Sequence, residues 1–319
     1  MAYYPSPPDK DPEQHSILNS SRARLAVMCV SVLLIVTGAA MLIRYGVELA
    51  ASRQTTQELR EAAAATEEPI PDVTELPAPS PTVAVQPTAT LAPAVTESAA
   101  ETVTPRPVTL PEVPYPDGYK LNARIQKLRK KSEYIIGWIT MDDLDEPVVL
   151  KDNTFFLNHD ATGKRNSNGA IFMDEGTDLL SRPYTILLYG HNMKSGAMFG
   201  NLRKYEQFAF FDKHRIFRFD TLYEEGSYVI FTVATIHLTP GRSRYLNLAA
   251  LQSMNRDTRR QAIETLESLS LHAGALDVNE EDQVLLLVTC VGDDDERLVV
   301  AARRLREGER EDSLAMKSR

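Results

Sequence analysis

The stretch "LLLVTCVGDDDERLVV", Leu285 to Val300, decides the fold. Two apolar runs flank the acidic loop Val291 to Glu296, and runs of this length bounded by a turn read as a β-hairpin. In that hairpin Cys290 and Arg297 stand directly opposite each other, with Cβ atoms about 5 Å apart on one face. A guanidinium at that distance favours thiolate over thiol, which is the setting of a nucleophile.

Other runs extend the pattern: "EPVVLK" from Glu146, "GAIFMD" from Gly169, "YTILLYG" from Tyr184, "RIFRFDT" from Arg215 and "SYVIFTVATIHL" from Ser227. Turn signals such as Asn168-Gly169 and Pro240-Gly241 separate several of them. Seven or eight strands with few helices point to a closed barrel or sandwich. Leu121, Ile125 and Leu128 mark one short helix, and Ala262, Leu266 and Leu269 mark another between Arg256 and Leu271.

The 319-residue chain has a formal charge of −9, unevenly divided. Residues 1–117 hold 7 basic and 14 acidic side chains, leaving 28 and 30 for residues 118–319. The C-terminal part therefore has no basic excess for nucleic acid. "LAVMCVSVLLIVTGAAMLI", Leu25 to Ile43, is 19 residues without a charge, close to the ~20 that span a bilayer as a helix. A cleaved signal peptide fits less well, because its apolar core is about 7 to 15 residues long and no clean A-x-A site follows. Lys10, Arg22 and Arg24 before the span are matched by Arg44, Arg53 and Arg60 after it, so charge does not set the orientation. Twelve of the 19 prolines lie between Pro69 and Pro116, and no glycine occurs from Val47 to Asp117. Such a segment buries no core and reads as a semi-rigid spacer reaching between about 45 and 200 Å.

The chain has two cysteines. Cys29 lies in the apolar span, so Cys290 is the lone thiol of the folded part; the bland reading is a small buried hydrophobe. Of six histidines, His191 follows the strand "YTILLY" and Gly190 and opens the loop "HNMKSGAMFG", a junction where functional side chains concentrate. His237 continues the alternation Val229, Phe231, Val233, Thr235 and reads as a barrel-face residue. His159 and His214 fall in polar loops. "DATGKR" from Asp160 lacks phosphate-loop spacing and reads as a turn. The contiguous "DDDE" is not a calcium loop. No histidine or cysteine pair has metal-ligand spacing.

Together, "YGHNM..G.MF..L", a strand ending in "TC" and an arginine opening the next strand resemble the sortases from about Tyr119 to Leu305. "GWITMDDLDEPVVLKDNTFFLNHDATGKRNSNGAIFMD" and "LLYGHNMKSGAMFGNL" resemble class B in particular. The family's T-L-x-T-C stands here as Leu286-Leu287-Val288-Thr289-Cys290, with Leu286 replacing the leading threonine and Val288 where class B often has serine. The resemblance implies an eight-stranded sortase-type β-barrel with a few short helices at residues 118–307. Before it would lie a cytoplasmic N-terminus (1–24), a transmembrane anchor (25–43) and a disordered Pro-rich extracellular linker (44–117), with a charged tail (308–319) after it.

The activity it implies is cysteine transpeptidation without a cofactor or metal. Cys290 would be the nucleophile, His191 the acid/base and Arg297 the oxyanion or substrate-backbone donor, with Thr289 and Asn192 as candidate substrate contacts. The partners would be secreted proteins carrying a C-terminal sorting signal and an amine from a peptidoglycan precursor or a pilin lysine. The membrane would be met only through the N-terminal helix, and nucleic acid not at all. The enzyme would sit in the cell membrane with its N-terminus inside and the barrel outside. An inactive sortase-like binding module and a thiol redox protein are the competing classes, the latter disfavoured because no second cysteine is present to resolve a mixed disulfide.

Overall fold

The computed structural model describes residues 21–64, 121–272, 276–291, 295–310 and Leu314. The proposed N-terminus up to residue 20, the Pro-rich spacer from residue 65 and most of the charged tail lie outside the described residues.

Eight strands close into one barrel: β1 (Ile135–Met141), β2 (Leu144–Val149), β3 (Ile171–Met173), β4 (Thr185–Tyr189), β5 (Ile216–Thr221), β6 (Ser227–His237), β7 (Val284–Cys290) and β8 (Glu296–Arg304). Their order around the barrel is β1-β2-β3-β4-β7-β8-β6-β5. Closure leaves no open sheet edge. β2–β3 and β4–β7 are parallel pairs and the rest are antiparallel. β1 is the strand absent from the apolar runs above. Its register with β2 shifts between Ile135 and Gly137. A Cβ at Gly137 would come 2.8 Å from the Asp220 carbonyl, so only glycine lets β5 approach there.

Alternation along the strands sorts side chains onto two faces. Leu285, Leu287, Leu298, Val300 and Ala302 point into the barrel interior with Ile186, Leu188 and Ile230. Leu286, Val288, Val299, Leu187 and Ile236 point outward, beneath Leu251 of α4 (Leu248–Leu251) and Ala262, Ile263 and Leu266 of α5 (Arg256–Ser268). The Asn255 side chain caps α5 by accepting from the Thr258 amide at 3.0 Å. Of two further short helices, α3 (Phe208–Lys213) buries Phe211, and α2 (Ala123–Arg129) begins after Asn122, whose side chain accepts from two amides of its first turn. Ile125 and Leu128 are buried, and Leu121 stays outside the helix.

The N-terminal helix α1 (Ser21–Ala64) continues well past Ile43. Its large apolar side chains from Leu25 to Ile43 are exposed, and the helix is long and apolar enough to cross a membrane. Its last turns belong to the barrel. Leu59 and Ala63 are buried with Trp138 and Val149. The Thr56 hydroxyl donates to Glu146 at 2.8 Å, and Arg60 pairs with Asp145 at 2.8 Å. The expected spacer therefore starts later than residue 44. "TTQELREAAA" is made mostly of good helix formers, and the prolines that break a helix begin only at Pro69.

Candidate active site

The hairpin has the expected register, with Cys290 opposite Arg297 and the loop closed by the Val291 amide donating to the Glu296 carbonyl at 3.1 Å. Cys290 ends β7 exposed, which rules out the buried-hydrophobe reading. Residues two apart on a strand share a face, so Cys290 lies on the outer face with Val288 and Leu286. Arg297 continues the same face on β8, and its guanidinium donates to the Glu296 carbonyl at 3.0 Å. Leu286 and Val288, the two departures from the family pattern, are buried in the outer apolar cluster and are packing residues here.

Beside this strand end runs β4, parallel to β7 with Tyr189 opposite Val288. Three hydrogen bonds extend the contact beyond the ladder: the Gly190 amide to the Val288 carbonyl at 3.3 Å, the Thr289 hydroxyl to the Gly190 carbonyl at 2.7 Å, and the Asn192 side-chain amide to the Cys290 carbonyl at 2.9 Å. They bracket His191, whose neighbours on both sides are tied to the last residues of β7. A Cβ at Gly190 would come 2.9 Å from the Phe199 ring, so the loop folds back tightly. The His191 carbonyl accepts from the Phe199 amide at 3.0 Å and closes that loop. Across the site, His191 Nε2 lies 2.7 Å from the Leu157 carbonyl. A carbonyl only accepts, so Nε2 carries the proton and Nδ1 is the lone-pair nitrogen of the neutral ring.

Thr289 is 2 % exposed, with its hydroxyl held by Gly190. Asn192 is likewise engaged through its amide, to Cys290. Both shape the junction between β4 and β7, a positioning that their sequence context does not reveal.

Tyr189 lies on the same outer face, packed against Leu187 and Val288. Burial first, and then the charge and hydrogen bond of Asp174, push its phenol up to about 12, with a smaller opposing effect from the positive charge of Arg297. It therefore remains a protonated donor at neutral pH. Asp174 also accepts from Asn153 at 3.1 Å, the Gly176 amide at 3.0 Å and Gln252 at 3.4 Å, joining three loops at the rim of this face. The sequence reading misses Tyr189 and Asp174; the position of Tyr189 two residues before His191 is the available signal.

Three further histidines make none of these contacts. His237 ends β6, His159 stacks on Phe155 with centroids 4.0 Å apart, and His214 stacks on Phe210 at 4.3 Å and pairs with Asp142. The last two have aromatic frames, contrary to the polar-loop reading, because the rings that hold them lie one helical turn earlier. "DATGKR" is a turn in which Asp160 accepts from the Thr162 and Lys164 amides. Among the described residues no group of three His, Cys, Asp or Glu side chains is arranged to hold a metal.

Residues 139–305 match the family model of the sortase domain. Staphylococcus aureus sortase B is 28% identical over 186 residues, covering 56% of this chain and 74% of the relative. A crystal structure of B. anthracis sortase B in complex with AAEK2 is similar at 32% identity and a TM-score of 0.53, covering 59% of this chain and 85% of that one. A Staphylococcus aureus sortase B–substrate complex is similar at 25% identity and a TM-score of 0.53, covering 59% and 87%. With the barrel and the family match in agreement, this chain belongs to the sortase family and is class B-like within it.

Proposed function

We propose that the protein is a membrane-anchored transpeptidase whose nucleophile is Cys290, and that it joins secreted proteins bearing a C-terminal sorting signal to an amine of the peptidoglycan precursor. The observation that carries this reading is the pairing of exposed Cys290 with Arg297 at a strand end whose neighbour strand delivers His191.

The Cys290 thiolate attacks the carbonyl carbon of the sorting-signal threonine, forming a C–S bond and a tetrahedral oxyanion. Arg297 donates to that oxyanion or to the adjacent substrate carbonyl, an interaction worth about 3 kcal/mol when one such donor is lost. Collapse breaks the C–N bond, and the departing amine takes a proton from the His191 imidazolium, leaving a thioacyl enzyme. The incoming amine then attacks the thioester, His191 removes its proton, and the Cys290 thiolate leaves. A similar sortase B structure complexed with triglycine supports a glycine amine as the acceptor. The exposed apolar span of α1 supports anchoring in the cell membrane, and the secreted substrates of this reading require the N-terminus inside and the barrel on the outer face.

Incubating the protein with a panel of threonine-containing sorting-signal peptides and triglycine tests the reading. A peptide–triglycine product that disappears in Cys290→Ala supports it. Absence of product from every peptide, with the fold intact, refutes it.

A further inference from the structure

Asp295 and His237 are two residues that the reaction above leaves unused, and they meet beside the hairpin. His237 pairs with Glu296 in the β6–β8 ladder, so Asp295 stands where the chain leaves β6. The Asp295 carboxylate accepts from the Leu238 amide at 3.2 Å and the Thr239 hydroxyl at 2.8 Å, and it lies 3.5 Å from His237 Nδ1 and 4.0 Å from Arg242 Nε. The Asp295 carbonyl accepts from the same Leu238 amide at 3.3 Å. Main chain and side chain of one residue thus grip the same exit loop.

That exit loop is itself fixed. The His237 amide donates to the Arg244 carbonyl at 3.1 Å and the Leu246 amide to the His237 carbonyl at 3.1 Å. The Arg244 guanidinium donates to the Thr235 and Leu269 carbonyls, each at 2.6 Å, which ties the loop to β6 and to the end of α5. Arg244 holds a positive φ of 58°, a conformation that costs a non-glycine residue and persists where its surroundings impose it. Asp295 therefore joins a braced post to the β8 end of the loop between Cys290 and Arg297. It lies two residues before Arg297, on the strand end from which the guanidinium projects.

We propose that Asp295 is a positioning residue for Arg297: by holding the hairpin loop to the Leu238–Thr239 exit, it fixes the angle at which the guanidinium meets the oxyanion. The inference rests on the Cys290–Arg297 reading of the site. It assigns to the acidic loop a role that needs the hydrogen-bond acceptors of Asp295 more than its charge. Asparagine at this position keeps an acceptor oxygen for the Leu238 amide and the Thr239 hydroxyl, and alanine keeps neither.

The test compares the full chain, D295A and D295N in three assays: triglycine ligation of a peptide that the unaltered chain turns over, iodoacetamide alkylation of Cys290, and thermal melting. Misplacing a catalytic group by about 1 Å costs up to about a hundredfold, so D295A should lose about tenfold or more in kcat with KM changed by less than about threefold. Alkylation forms no oxyanion and should stay within about twofold, while D295N should recover kcat to within about threefold of the unaltered chain. Normal kcat in D295A, an equal loss in alkylation, or D295N as impaired as D295A would each overturn the proposal. Absence of ligation by the unaltered chain would instead refute the transpeptidase reading, and this inference with it.

Discussion

The side-chain amide of Asn192 donates to the main-chain carbonyl of Cys290 at 2.9 Å, so the residue after the histidine holds the residue that carries the thiol. The bond joins a loop residue to the last residue of β7, 98 residues apart in sequence, at the point where the parallel β4–β7 ladder has ended. Asn192→Ala removes one neutral hydrogen bond with a net worth of about 1 kcal/mol, a shift of roughly 2–4 °C in Tm for a domain of this size. Turnover should fall further, by about tenfold, because the segments carrying Cys290 and His191 lose a shared tether. Melting and kcat measured on the same preparation check this, and parallel small losses in both would reduce Asn192 to a stabilising role.

Cys290→Ala should abolish transpeptidation and leave the melting curve nearly unchanged. The side chain is small and exposed at the end of β7, so its loss opens no cavity. A collapsed melting curve would return Cys290 to a structural role.

His191→Ala should lower turnover by about a hundredfold to ten-thousandfold, the range of general acid–base catalysis, and His237→Ala by less than about tenfold. His191 follows the strand that pairs with β7, whereas His237 faces Asp295 and Arg242. A pH–rate series on both variants decides between them, and greater sensitivity at His237 would reverse the assignment.

Arg297→Lys keeps the charge and loses the planar fork of donors. We expect a loss of about a hundredfold in kcat/KM, or about 2.7 kcal/mol, with much smaller change in iodoacetamide alkylation. Equal losses in the two assays would assign Arg297 to thiol activation, and near-normal turnover would remove its geometric role.

Glu146 should make the docking of the last turns of α1 pH-dependent. Burial is the main cause that raises its carboxyl from 4.5 to about 7, against the opposing Thr56 hydrogen bond and the Arg60 charge. A raised folded-state value means that stability is greatest below the unfolded value and is lost as pH climbs through 7. The full loss corresponds to about 3 kcal/mol at most. Glu146→Gln should therefore match the parent near pH 4.5 and melt higher than it at pH 8. An equal difference at both pH values would contradict this sign.

The hairpin was legible because strand alternation and a six-residue loop fix which residues oppose, and Cys290 and Arg297 follow from that register alone. His191 was legible as a strand exit. The bonds around it were not, since Leu157 meets its ring, Thr289 holds Gly190 and Cys290 accepts from Asn192, all from segments distant in sequence from the histidine loop. The end of α1 was hidden because reading residues 44–117 as one linker lets the later prolines mask ten helix-forming residues. Nothing in the contiguous "DDDE" singles out Asp295, and only the closing of β8 against β6 brings it to Leu238 and Thr239.

The central claim is that Cys290 carries the acyl group between donor and acceptor. Intact-mass spectrometry of the protein mixed with a productive sorting-signal peptide, with no amine added, tests it most directly. The account predicts a mass increase equal to the acyl fragment ending in threonine, mapped to Cys290 and discharged on adding triglycine. Peptide cleavage with the protein mass unchanged, or an adduct on another residue, would contradict it.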